Sequence, residues 1–328
     1  MPLIPSYYYP KNLFKNGHFS TIYSAKFRLI APITYHRKRL KLNDGDFLDL
    51  DWSYAAEMGR QTTQNVVLLL HGLEGNAQRS YMRGQASELL KFGFDVCAMN
   101  FRGCSGVPNR MVQSYNVGQT EDLDQVISHI VQTKGYNKIL TVGFSMGGSL
   151  LLNYLGKRIG LYQKIFAAAV VSTPLDLKAS IQRLSNGDNR LYQWVFLSTL
   201  KKKYRQKQRQ FPMDISKYEA GTMKTLKDFD NLYTAPVHGY FNADDYYQKN
   251  SPINSLDKIA IPLMILNALN DTFLSKTCIP IDLAQRSKNI YLEAPKYGGH
   301  VGFYSPSGPY YNERQIAQFL IKTLDKSL

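Results

Sequence analysis

Residues 138–156, KILTVGFSMGGSLLLNYLG, constrain the fold more than any other stretch. Ile139, Leu140, Thr141, Val142 and Gly143 form a short apolar run of the kind buried on both faces in a parallel sheet. Gly143-Phe144-Ser145-Met146-Gly147 then reads as a G-x-S-x-G turn. After Met146, Leu150, Leu151, Tyr154 and Leu155 recur at helical spacing. A serine at a sharp strand-to-helix turn is a nucleophile elbow. Its flanking glycines are required because a Cβ would crowd so tight a turn. The turn lifts the hydroxyl clear of the sheet and gathers the first helical N–H groups where an oxyanion would form.

The surrounding chain repeats the alternation. Arg37–Leu42 and Phe47–Trp52, joined through Asn43-Asp44-Gly45, predict a hairpin. Strands are then expected at Val66–Leu70, Asp95–Met99, the elbow strand, Phe166–Val171, Pro262–Ala268 and Ile290–Glu293. Helices are expected from Tyr81 to Lys91, around Leu123, Val126, Ile127 and Ile130, and from Glu313. This predicts an α/β class: a doubly wound, mostly parallel sheet. Residues 1–36, aromatic and without clear periodicity, are expected to pack as an extended arm.

Composition shifts near Pro174. Residues 174–258 are basic, partly helical and rich in Tyr, Phe and Leu, which predicts a helical cap inserted over the carboxyl ends of the strands. The core is then 1–173 and 259–328. Lys+Arg number 40 against 25 Asp+Glu, a net +15. Six of these cations, Lys201, Lys202, Lys203, Arg205, Lys207 and Arg209, crowd one stretch of the cap. Read as a helix they fall all round it, so a solvated cap face is expected. Weak association with an anionic membrane surface, or with an anionic substrate such as acyl-CoA, is the next reading. No nucleic-acid-binding cue accompanies them. Cys97, Cys104 and Cys278 have neither disulfide nor metal-ligand spacing. No cofactor fingerprint or metal motif stands out. The amino terminus lacks an apolar core of signal length, and no run approaches about 18 apolar residues. A cytoplasmic protein is expected.

A serine hydroxyl needs a base at hydrogen-bond distance. In sheets that carry such an elbow, the partners follow in the order Ser, Asp or Glu, His. Of six histidines, His18, His36, His71 and His129 precede the elbow and His238 lies in the cap segment. His300, in Gly298-Gly299-His300-Val301-Gly302, remains as the general base. Asp271 follows the 262–268 strand, where the acid should sit, whereas Asp257 precedes that strand and Asp282 falls in a helix beyond. Oxyanion donors are expected from the backbone N–H of Met146 and of Leu73, in His71-Gly72-Leu73. His71 itself is read as structural.

Further motifs extend through nearly the whole chain: Asn16-Gly17-His18, Asp46-Phe47-Leu48-Asp49-Leu50, His71-Gly72-Leu73-Glu74-Gly75, Asn100-Phe101-Arg102-Gly103-Cys104-Ser105-Gly106 and Asn267-Ala268 to Asp271. Thr234-Ala235-Pro236-Val237-His238-Gly239-Tyr240, followed by Asp244-Asp245-Tyr246-Tyr247, continues the likeness into the cap. With these the chain resembles the YheT-like branch of the α/β-hydrolase superfamily, a group of predicted esterases. The resemblance implies a triad of Ser145, Asp271 and His300. It also implies activity on fatty-acyl esters, including medium-chain esters and phospholipids, or ester synthesis from acyl-CoA and an alcohol. Ser149, Asn116 and Asn270 depart from the family pattern.

The expected function is therefore a serine carboxylic-ester hydrolase with an apolar, short- to medium-chain acyl group under the cap. An acyltransferase using the same triad is the alternative. A non-catalytic binder of anionic membrane or nucleic acid is a third reading, from the charge alone.

Overall fold

The computed structural model describes residues 3–133, 135–213 and 220–325; positions 1–2, 134, 214–219 and 326–328 lie outside them. Eight strands form one sheet: β1 (His36–Lys41), β2 (Phe47–Ser53), β3 (Asn65–Leu70), β4 (Asp95–Asn100), β5 (Lys138–Phe144), β6 (Ile165–Val171), β7 (Leu263–Leu266) and β8 (Ile290–Glu293). Their order is β1-β2-β4-β3-β5-β6-β7-β8. The β1–β2 and β2–β4 pairs are antiparallel and the rest parallel. The doubly wound reading holds.

Strand β3 shows why the central runs carry no polar/apolar alternation. Val66, Leu68 and Leu70 join one core cluster, and Val67 and Leu69 join another on the opposite face. Helices α3 (Thr120–Gln132) and α4 (Met146–Gly156) cover the first face; α2 (Ser80–Lys91) and the terminal helix α8 (Tyr311–Asp325) cover the second. With both faces dry, each fully buried Val or Leu contributes about 1.5–3 kcal/mol. A polar substitution on either face would leave a group without a partner.

At the sheet edge, the hairpin is stabilised across its register. Arg37 lies opposite Asp51 and Arg39 opposite Asp49, each closing an ion pair at 2.7 Å. Next to it, the Asn100–Gly106 loop acts as a buried tie. Arg102, 3 % exposed, grips Asp122 of α3 with two bonds of 2.6 Å and reaches Asp44 and Asp46 of the hairpin at 2.6 and 3.1 Å. One guanidinium thus clamps hairpin, loop and helix.

The expected extended arm is interrupted by a helix. Residues Gly17–Lys26 form helix α1, capped by the Asn16 side chain accepting from the Phe19 N–H. Its buried positions are Gly17, Ser20, Thr21 and Ser24, at helical spacing but without an apolar side chain. They bury because their hydroxyls satisfy a neighbouring loop: Ser20 and Ser24 both donate to the Gly302 carbonyl.

The connection from β6 to β7 carries α5 (Leu177–Leu184), α6 (Arg190–Gln210) and α7 (Ala243–Asn250), with shorter turns between. Its core joins Leu197, Leu200 and Tyr204 of α6 to Met223, Leu226, Phe229 and Tyr233. Among the described residues no helix is long and apolar enough to cross a membrane.

Candidate active site

Between β5 and α4 the chain turns at Ser145, which holds φ 51° and ψ −123°. A non-glycine residue with positive φ costs on the order of 1–3 kcal/mol and persists where its surroundings impose it. They do so here. The Ser145 N–H donates to the Val171 carbonyl of β6 at 2.9 Å. A Cβ on Gly143 would lie 2.6 Å from the Gly148 Cα, and one on Gly147 2.4 Å from the His71 carbonyl oxygen. No other residue fits at either position.

The structure brings all three side chains singled out by chain order into contact. Ser145 Oγ lies 2.9 Å from His300 Nε2. His300 Nδ1 lies 2.9 Å from Asp271 Oδ2 and 3.2 Å from Oδ1. The Asp271 carboxylate is fully buried, while the imidazole keeps 11 % exposure toward the cavity. Oδ1 also accepts from the Phe273 N–H at 2.9 Å, and the Phe273 ring stacks on the imidazole with centroids 4.2 Å apart. The carboxylate is therefore fixed from behind and the imidazole from one face.

Helix α1 holds the histidine loop in place. The Thr21 hydroxyl accepts from the His300 N–H at 2.8 Å while donating to the Gly17 carbonyl. Asn270 accepts from the Gly299 N–H and donates to the Lys15 carbonyl. A Cβ on Gly299, which sits at φ +56°, would meet the Gly17 oxygen at 2.4 Å. The departures from the family pattern are likewise structural: Ser149 donates to the Pro174 carbonyl and Asn116 accepts from the Gly118 N–H.

Leu73 and Met146, whose N–H groups are the expected oxyanion donors, both line the cavity that Ser145 faces. Met146 is the first residue of α4, so its N–H has no intrahelical acceptor. A Cβ on Gly72 would stand 3.1 Å from the Ser145 Cβ, so the loop carrying Leu73 passes directly over the serine. Among the described residues neither N–H has a hydrogen-bond partner. His71 fixes that loop: Nδ1 donates to the Gly72 carbonyl at 2.7 Å and Nε2 accepts from the Phe101 N–H at 3.1 Å.

Burial pushes the His71 imidazole down to about 3. The unfolded chain, with an ordinary value near ~6.5, takes up the proton first. The stability contributed by neutral His71 is therefore complete above that value and is lost as pH falls toward 3. Between pH 7 and pH 5 the loss from this group is about 2 kcal/mol. Urea unfolding of wild type and His71→Gln at both pH values measures it: the variant should fall by about 2 kcal/mol less. Equal falls would disprove the assignment.

A cavity of ≈ 420 Å³ opens above Ser145 and His300, walled by Leu73 and Met146 from the core and by Ile181, Phe196, Leu200 and Phe229 from the β6–β7 connection. It also holds polar groups that the sequence reading did not place at the site. Lys203 donates to Glu74 at 2.7 Å and to Cys104 Sγ at 3.3 Å. Lys207 is buried and donates to the Asn109 and Met111 carbonyls; burial pulls it down to about 8. Asp230, in a π-helical turn, is pushed up to about 6 by burial and accepts from the Tyr247 hydroxyl at 2.6 Å.

The charges do fall all round α6, but the expectation of a wholly solvated face is corrected. Lys203 and Lys207 point inward, one turn apart beside Leu200 and Tyr204; Lys201, Lys202, Arg205 and Arg209 face outward, with Lys201 half-buried. Tracing the inward stripe of Leu197, Leu200 and Tyr204 along the helix would have found both inner lysines.

Residues 65–306 match the alpha/beta hydrolase fold family. The chain belongs to the α/β-hydrolase family. Within it the chain falls in the YheT-like branch: it is 35 % identical over 296 residues to the Escherichia coli K12 protein YheT, named as a candidate esterase. That alignment covers 90 % of this chain and 86 % of YheT. The human phospholipase ABHD3 is 31 % identical over 326 residues, covering 97 % of this chain and 80 % of its own. The solved structure of the Pyrococcus furiosus esterase Pf2001 shares the α/β-hydrolase fold at a TM-score of 0.61 and 17 % identity, covering 90 % and 96 % of the two chains.

Proposed function

We propose that the chain is a serine carboxylic-ester hydrolase acting through an acyl-enzyme, with Ser145 as nucleophile, His300 as general base and Asp271 as its orienting acid. The observation that carries the reading is the unbroken hydrogen-bond chain from Ser145 Oγ through His300 to Asp271 at the floor of an apolar cavity. Ser145 Oγ attacks the ester carbonyl carbon as its proton passes to His300 Nε2. The oxyanion is received by the Leu73 and Met146 N–H groups. Collapse breaks the bond to the alkoxide, which leaves with the proton from His300. Water, deprotonated by the same nitrogen, then attacks the acyl carbon and releases the acid and Ser145.

Residues 174–258 act as a cap that shapes the acyl site, and the phospholipase name of the human relative supports a fatty-acyl substrate. A panel of p-nitrophenyl esters of rising acyl length tests this. Each methylene that enters the cavity is worth about 0.8 kcal/mol, so kcat/KM should rise roughly threefold or more per carbon into the medium-chain range and then level. Rates that fall steadily from acetate onward would reject the apolar acyl site. Product in excess as the ester of an added alcohol would reassign the chain to acyl transfer.

A further inference from the structure

Helix α6 has two unlike faces. Leu197, Leu200, Tyr204 and Lys207 are buried against the cap and core. On the other side, at 3.6 residues per turn, Leu191, Trp194, Val195, Lys201, Lys202, Arg205 and Arg209 fall within an arc of about 120°. Leu191, Trp194 and Val195 are 60, 67 and 43 % exposed. The stripe is therefore apolar along its first half and basic along its second. Lys224 of the adjoining segment adds its positive field to that of Arg205 at Lys201, and Asp228 opposes it. Phe196, Thr199 and Lys202 border the cavity above Ser145, so the stripe runs along the cavity's rim.

We propose that this face of α6 docks the protein on an anionic lipid surface, with Leu191, Trp194 and Val195 in the interfacial layer and the four outward cations over the headgroups. Charge and polarity choose that occupant. A second copy would bring the same cations together. A nucleic acid would leave the tryptophan half without a counterpart. A helix that presents an aromatic and aliphatic patch beside Lys and Arg matches a headgroup layer over acyl chains. Docking does not depend on the chemistry at Ser145. Its consequence, that the cavity rim meets the bilayer and an acyl ester can enter without crossing water, rests on the acyl site proposed above.

The chain reports on this itself. It has two tryptophans, and Trp52 is 2 % exposed, so a blue shift of emission on adding vesicles belongs to Trp194. The full chain is mixed with vesicles of phosphatidylcholine alone or with about a third phosphatidylserine, at low and at high salt, and co-sedimentation is followed alongside emission. Binding and a blue shift are expected on the anionic vesicles at low salt, weakening as the Debye length shrinks. K201Q/R205Q/R209Q should bind roughly a hundredfold more weakly, and W194A on the order of tenfold. Both variants should keep wild-type turnover of a water-soluble short ester, which separates failed docking from failed catalysis. Equal binding to neutral and anionic vesicles, binding unchanged in the triple variant, or no blue shift would overturn the proposal. So would a concentration-dependent dimer that W194A dissolves, since the face would then belong to a second copy.

Discussion

Ser145→Ala should lower ester turnover by about 10⁶-fold, the scale on which serine nucleophiles fail when their hydroxyl is removed. The substitution is clean. The Cβ already sits at φ 51°, the N–H bond to the Val171 carbonyl is untouched, and only Oγ leaves. A residual rate well above water, of order 10³-fold, should persist from the oxyanion donors and the binding cavity. Asp271→Asn should fall by about 10⁴-fold. The amide keeps an oxygen for the Phe273 N–H but turns its NH₂ toward His300 Nδ1, which selects the wrong tautomer. Turnover of a p-nitrophenyl ester, together with fluorophosphonate labelling traced to the peptide bearing Ser145, reads both variants. A Ser145→Ala protein within tenfold of wild type would end the triad assignment.

The largest expected stability effect lies away from that site. Arg102→Met should destabilise the fold by about 3–5 kcal/mol, because it strands a buried carboxylate. Asp122, whose side chain is 4 % exposed, loses both of its 2.6 Å bonds. Asp46 suffers less, since it also accepts from the Asn109 side chain and the backbone N–H groups of Phe47 and Arg110. A melting temperature lower by on the order of 10 °C is expected. Adding Asp122→Leu should restore most of the loss, because an apolar pair of similar volume carries no desolvation penalty. A neutral single variant would mean that Arg102 does not tie the hairpin to α3.

What could be read from the chain follows from where apolar patterning operates. Strand β3 and its parallel neighbours are legible because both faces are buried and the run is continuous. The elbow is legible because its glycines answer steric demands on the spot, and chain order then points to Asp271 and His300. Helix α1 escaped for the opposite reason. Its buried face is Gly17, Ser20, Thr21 and Ser24, chosen for hydroxyls and closeness, and no hydrophobic period marks it. The inward turn of Lys203 and Lys207 escaped because lysines also fill the other side of α6. Asp230 gives no local sign at all: its hydroxyl partner, Tyr247, lies 17 positions away.

The bond from the His300 N–H to Thr21 joins positions 279 apart in the chain. It couples helix α1 to a loop that follows β8. The loop that carries His300 is therefore held only once distant parts of the chain have packed together. A contact that spans so much sequence closes a long loop, which places it late in folding rather than early.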